Sequence, residues 1–247
     1  MVIALERYQD ALPAVRVDVA GTQRLFLFDT GAGITCVAPA LAAELEAEPY
    51  GKLVGLRMNG ESLELQRVDA VALAVGGIPL VPPMVGVLDL AALLPEGWPP
   101  VDGVLALDAF VHRPLTLDLA ARTLVLESES SARERARAGD EVEIRVSRPV
   151  QGHAREVFVA ARLDGRTWWL ELDTGNAAPV LLAVHTGVED DGEITLELGG
   201  APWTGAFYLQ EMILDGNLGQ TFCAGRAITL DLAHERMFVA PSSAPTT

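Results

Sequence analysis

The sequence predicts a mostly β chain in which two β-rich units follow one another, accompanied by a few short helices. Three observations carry this expectation. The tripeptide Asp-Thr-Gly occurs twice, at Asp29-Thr30-Gly31 and at Asp173-Thr174-Gly175, in similar surroundings. Three further segments match between the same two halves, in the same order. Elsewhere the pattern is one of short β-branched or alternating apolar runs punctuated by Gly and Pro.

The repeat is the strongest of the three. Upstream of the first motif stands DVAGTQRLFLFDTG (18–31), and upstream of the second RLDGRTWWLELDTG (162–175), at an offset of 144 residues. LAVGG (73–77) matches LELGG (196–200) at an offset of 123. VDGVLALDAF (101–110) then matches LDGNLGQTFC (214–223), and LTLDLAARTLVL (115–126) matches ITLDLAHERMFV (228–239), both at 113. Four collinear matches indicate a tandem duplication. The falling offset means that the second copy is shorter by 21 residues before its Gly-Gly and by 10 more before its Asp-Gly.

Taken in chain order, residues 38–48 (APALAAELEAE) predict a helix. Residues 53–68 read as two alternating strands around Asn59-Gly60, a strong hairpin signal that falls where copy two is shorter. Residues 70–88 carry no charge, but Gly76, Gly77, Pro79, Pro82 and Pro83 would break a spanning helix. They predict two buried strands joined at the Gly-Gly turn of a soluble protein. Residues 91–100 form a Pro-rich loop that copy two lacks, and a short helical turn is expected after each Asp-Gly. The charge-dense residues 127–141 predict a solvated linker with some helical character, and PSSAPTT (241–247) a frayed tail. The expected division is 1–126, the linker 127–141, 142–240 and the tail 241–247.

Composition excludes several function classes. The chain has 247 residues, half of them apolar, with 34 acids against 18 bases and a net charge of −16. Nothing supplies the basic face that a nucleic-acid or anionic-membrane partner requires. Cys36 and Cys223 read as two buried thiols, and His112, His153, His185 and His234 match no ligand spacing, so no metal or cofactor is expected. No phosphate-binding glycine loop or serine elbow occurs. The first ten residues contain Glu6, Arg7 and Asp10 and no apolar core of a signal peptide. A cytoplasmic location fits the chain as it stands, and a periplasmic or secreted one fits if a leader was trimmed.

The order "apolar strand, Asp-Thr-Gly-Ala", then "Asp-Gly-apolar-Leu-Gly", then "Leu-Thr-Leu-Asp" resembles the pepsin/retropepsin clan of aspartic proteases, and more narrowly the bacterial retropepsin-like family. The resemblance covers both copies and implies a bilobal pepsin-like (acid protease) fold with a cleft between lobes. It implies an aspartic endopeptidase whose catalytic residues are Asp29 and Asp173, one per copy, sharing a proton because two carboxylates about 3 Å apart cannot both ionise. Gly31 and Gly175 would let the backbone turn and bring amides to the carboxyls, while Thr30 and Thr174 would bond across the lobe interface. The hairpin tip Met58-Asn59-Gly60 would be a flap over a bound peptide or protein substrate. One flap in two copies resembles single-chain pepsins and implies a monomer.

Departures from the pattern lie at Asn176, after the second Asp-Thr-Gly, at Ala106 in place of Gly, and at Asn217 before Leu218. Two uses of Asn176 remain open, a turn cap or an amide that alters the proton affinity of the pair. Ala106 fits as a packing variation if its φ is negative. Asp118 and Asp231 match each other and read as structural turn residues. The alternative function is a catalytically decayed peptide-binding or regulatory module.

Overall fold

The structure, a computed structural model, describes residues 1–69 and 71–244. Each copy folds around one sheet, and a third sheet joins them. In copy one the strands run Tyr50–Leu56, Ser62–Val68, Val85–Val87, Cys36–Val37, Gly103–Leu105, Thr22–Phe28, Leu12–Val19, Leu73–Val75 and Ile78–Leu80, with Glu6–Tyr8 also on Leu12–Val19. In copy two they run Ile144–Ser147, Glu156–Leu163, Arg166–Leu172, Gly216–Leu218, Val180–Ala183, Ala201–Gln210 and Gly192–Leu198. In both, the strand leading into Asp-Thr-Gly lies parallel to the strand that carries the glycine of Asp-Gly.

The repeated Asp-Gly has a shared physical cause. Asp102 accepts a hydrogen bond from the Leu25 amide (2.9 Å) and Asp215 from the Trp169 amide (3.0 Å), so each aspartate pins the strand that ends at its copy's motif. The glycines are required by close approach: a Cβ on Gly103 would lie 2.5 Å from the Cys36 carbonyl, and one on Gly216 2.5 Å from the Leu181 carbonyl.

The third sheet orders Val2–Ala4, Thr123–Leu126, Leu115–Asp118, Arg226–Asp231, Arg236–Pro241 and Asp140–Val142. Its centre pairs the two Leu-Thr-Leu-Asp repeats antiparallel, with Thr116 opposite Thr229 and their hydroxyls 2.8 Å apart. Those threonines are repeat mates, so the pseudo-twofold axis runs between them. A single apolar core extends from this sheet into both copies, from Phe26, Phe28 and Phe110 to Leu170, Leu172 and Phe222.

Several local expectations change. The first helix spans only Pro39–Glu44, because Glu46 adopts a left-handed φ of 52° and Pro49 follows. The hairpin forms as Tyr50–Leu56 and Ser62–Val68, with Gly60 at φ 84° in the turn. Of the uncharged stretch 70–88, residue 70 lies outside the described residues. The rest forms Leu73–Val75 and Ile78–Leu80 about Gly76-Gly77, with Ile78 and Pro79 not fully buried, and then Val85–Val87. No helix among the described residues is long and apolar enough to cross a membrane.

The charge-dense segment is structured. Its helix Glu129–Ala138 begins with a capping box at Ser128. Glu127 is buried, accepting from Thr116 (2.7 Å) and pairing with Arg135 at 3.0 Å, and Asp140–Val142 joins the third sheet. The start of the expected frayed tail 241–247 is also tied down: Pro241 ends a strand, and Ser242 and Ser243 donate to Asp118. The remaining tail, 245–247, lies outside the described residues.

Candidate active site

Both Asp-Thr-Gly turns sit at the end of a central strand whose mate supplies the next hydrogen bond. Asp29 N–H donates to the Leu105 carbonyl and Asp173 N–H to the Leu218 carbonyl, each at 3.1 Å. This pairing carries the two turns to the interface between the copies, where they lock together. Thr30 Oγ1 donates to the Leu172 carbonyl (2.7 Å) and accepts from the Thr174 amide (3.0 Å). Thr174 Oγ1 donates to the Phe28 carbonyl (2.9 Å) and accepts from the Thr30 amide (3.1 Å). Both threonines are fully buried, so all four bonds form away from water.

The lock sets the carboxyls face to face. Gly31 N–H donates to Asp29 Oδ1 (2.9 Å) and Gly175 N–H to Asp173 Oδ1 (2.8 Å). A Cβ on Gly175 would stand 2.5 Å from Asp29 Oδ2, and one on Gly31 2.7 Å from Asp173 Oδ1. Neither glycine has a positive φ, so the need for glycine here is space for the other copy's carboxylate, not a left-handed turn. Burial and the Asp173 charge push the Asp29 carboxyl above the usual carboxylate range. Asp173 is buried and Asp29 half-buried.

Around this symmetric centre the two copies differ. Asn217 Nδ2 donates to Asp173 Oδ2 at 2.8 Å and reaches Glu171 Oε2 at 3.5 Å. Asn176 Nδ2 donates to Asn217 Oδ1 at 2.8 Å, and Asn176 Oδ1 accepts from the Ala178 amide at 2.9 Å. Asn176 therefore does cap its own loop, and it also connects to the carboxyl pair through Asn217. Asn217, a departure from the pattern in sequence, thus lies at the carboxyl pair itself, its amide in contact with Asp173. Glu171 went unmarked in the sequence. It is 7% exposed, and burial together with the charges of Asp173, Glu156 and Asp29 raises its carboxyl well above the ordinary glutamate range. Burial also raises Glu156.

Ala106 has a φ of −105°, which alanine adopts without strain. Its mate Gly219 faces a fuller site: a Cβ there would meet the Asn176 carbonyl at 2.6 Å and its side-chain amide at 2.7 Å. Behind the first turn, Asp108 Oδ1 accepts from the Thr35 amide (2.9 Å) and hydroxyl (2.6 Å), and that hydroxyl accepts from the Ala106 amide (3.1 Å). Asp108 Oδ2 is buried without a partner, and burial pushes this carboxyl up to about 7.

The hairpin tip crosses to the second copy. Ile213 N–H donates to the Met58 carbonyl at 2.9 Å, and Met58 packs against a cluster of Leu181, Ala183 and Met212. Asn59 Oδ1 accepts from the Glu61 amide at 3.1 Å, and Gly60 lies against Ile213. Leu181 pairs in the sheet with Asn217, so the tip rests one residue pair from the amide that meets Asp173. Among the described residues no group of three or more His, Cys, Asp or Glu side chains is placed to hold a metal ion.

A family model described as aspartyl protease matches residues 15–109, the part of copy one that contains Asp29. No curated protein resembles the chain significantly in sequence. Among solved structures, the chain is similar to an aspartic proteinase from Irpex lacteus, at 14% identity and a TM-score of 0.61, over 100% of this chain and 98% of that one. It is similar as well to conglutin gamma, a basic 7S globulin from lupine seeds, at 11% identity and a TM-score of 0.60, over 97% of this chain and 94% of that one. Basic 7S globulin from soybean superposes at a TM-score of 0.60 with 8% identity, over 98% and 95% of the two chains. The fold is therefore the two-lobed, mostly β fold of pepsin-like aspartic proteinases.

Proposed function

We propose that this chain is an aspartic endopeptidase that hydrolyses a peptide bond in an extended segment bound between its two lobes. The observation that carries the reading is the placing of Asp29 and Asp173 against each other's glycine, in turns cross-bonded by Thr30 and Thr174. Two carboxyls held this way retain one proton between them. The ionised carboxylate takes a proton from an attacking water as the oxygen adds to the scissile carbonyl, and the protonated carboxyl donates to the developing oxyanion. Collapse of the tetrahedral species returns a proton to the leaving amine. The amides of Gly31 and Gly175 hold each carboxyl in place without taking part.

The substrate is a peptide or protein strand that pairs with sheet edges in the cleft, and the Met58-Asn59-Gly60 tip acts as the flap that excludes water. Both turns come from one chain, which supports a monomer, and neither metal nor cofactor has a part in the reaction. Because basic 7S globulins share this fold, the second reading is a peptide-binding module without turnover. A fluorogenic peptide library assayed from pH 3 to 8 separates the two. Cleavage by the parent chain that is lost by a factor of about 10³ or more in Asp29→Asn and in Asp173→Asn supports the protease. A folded parent chain that cleaves no peptide at any pH, or one whose cleavage survives both substitutions, overturns it.

A further inference from the structure

The duplication builds two equivalent carboxyls, yet the reaction above needs one to accept a proton while the other gives one. The copies differ in the residues next to them. At the positions matching Asn176, Asn217 and Glu171, copy one has Ala32, Val104 and Leu27. Val104 pairs with Leu27 in the copy-one sheet as Asn217 pairs with Glu171 in copy two. Three apolar positions in one copy have become a connected polar set in the other.

That set has a direction. Asn176 Oδ1 accepts from the Ala178 backbone amide, which turns its Nδ2 toward Asn217. Asn217 Oδ1 accepts this bond, which leaves its own Nδ2 facing Asp173 Oδ2 at 2.8 Å. Each link offers a hydrogen to the next, and the chain ends on Asp173. Asp29 has no matching side-chain donor, since Val104 and Ala32 have none to give. A donor aimed at a carboxylate favours its charged form.

We propose that Asn217, oriented by Asn176, is a positioning residue that makes the pair unequal, holding Asp173 as the proton acceptor and leaving the shared proton on Asp29. The proposal rests on the aspartic-protease reading for its meaning in turnover, though not for its electrostatics. The titratable groups around Asp173 are Asp29 from the facing turn, Glu171 on its own strand, Glu156 on the neighbouring strand and the buried Cys223 thiol. Among the described residues none of these four carboxyls is in an ion pair. The Asn217 amide is therefore the side-chain donor that distinguishes Asp173 from its mate. Burial and the negative neighbours raise the Glu171 carboxyl, and its contact with the amide, at 3.5 Å, is longer than the 2.8 Å bond to Asp173.

The test is the titration of the pair in Asn217→Val, which installs the copy-one residue, and in Asn176→Ala, which removes only the orienting donor. Carbonyl-13C NMR of aspartate-labelled protein, assigned with Asp29→Asn and Asp173→Asn, reads the two carboxyls without requiring turnover. In the parent chain the first carboxyl to ionise is Asp173. In Asn217→Val its ionisation moves up by about one to two pH units, the worth of one bond to a charged acceptor. Asn176→Ala gives a smaller shift in the same direction. With a peptide substrate, the acid limb of kcat/KM moves upward with the titration, whereas a purely structural loss lowers kcat/KM at every pH and leaves the limb in place. An unmoved titration in a folded variant, or Asp29 ionising first in the parent chain, overturns the proposal. A parent chain that titrates as described but cleaves nothing refutes the protease and leaves the asymmetry standing.

Discussion

Replacing Thr30 by Val keeps the shape of the side chain and removes only the hydroxyl. In the parent chain that oxygen donates to the Leu172 carbonyl and accepts from the Thr174 amide. Thr30 and Thr174 are both 0% exposed, so neither orphaned group regains water without the turns parting. An unsatisfied buried donor or acceptor costs about 1–3 kcal/mol, so the two together cost about 2–6 kcal/mol. That is a large share of the roughly 5–15 kcal/mol by which such proteins are stable. Thr174→Val orphans a different pair, the Phe28 carbonyl and the Thr30 amide, and has the same expected cost.

The double variant removes all four bonds. Once one pair is lost the turns can separate and admit water, so the double cost falls below the sum of the singles. Thr30→Ser retains both bonds and loses one methyl group, at about 1 kcal/mol. Urea unfolding followed by fluorescence of the four tryptophans, with circular dichroism as a check on two-state behaviour, measures each value. A cost below about 0.5 kcal/mol for Thr30→Val, or equal costs for the Ser and Val variants, would refute the claim that these bonds hold the lobes together.

Two further outcomes are expected. Asp108 is held protonated by burial up to about 7, above its unfolded value, so the stability it contributes is present below about pH 4 and is lost as pH rises through 7. Asp108→Asn removes that dependence and gains on the parent chain by up to about 4 kcal/mol between pH 4 and pH 8 in urea titrations; parallel pH profiles would contradict it. Met58→Ala weakens the contact of the hairpin tip with Leu181, Ala183 and Met212, so hydrogen exchange in the hairpin accelerates while the urea midpoint stays nearly fixed; unchanged exchange would show that the contact does not hold the tip.

The repeated part of this fold was legible because duplicated constraints leave duplicated residues. Asp102 and Asp215 perform the same strand-pinning bond, and Gly103 and Gly216 yield to the same kind of backbone approach. Thr116 and Thr229 match because the axis passes between them. The shared third sheet was not legible, since pairing between strands more than a hundred residues apart leaves no local pattern. The segment 127–141 misled for a definable reason. Charge density predicts solvation, but Glu127 finds Arg135 eight residues on and Thr116 on the adjoining strand, and it is buried beside Thr116 while Arg135 stays half-exposed. Asn217 and Glu171 were hard to read because matches between copies highlight what is retained, and these positions carry their information in what changed.

The divergence also has a packing logic. In copy one, Leu27 and Val104 lie in an apolar cluster with Tyr8, Ala14, Leu90 and Val101, closed by Leu94 and Trp98 from the loop that copy two lacks. Tyr8 adds an edge-on contact with Trp98 and a hydrogen bond to the Pro99 carbonyl. Copy two lacks that loop, and the matching pair of positions there is Glu171 and Asn217. A buried polar side chain must find hydrogen bonds, and those within reach of Asn217 are Asp173, Glu171 and Asn176. Asn176 in turn fits because its mate across the turn is Gly219, whereas copy one combines Ala32 with Ala106. The missing loop, the two asparagines and the glycine thus form one coupled set of differences. Their combined effect is an unequal pair of carboxyls on an otherwise symmetric frame.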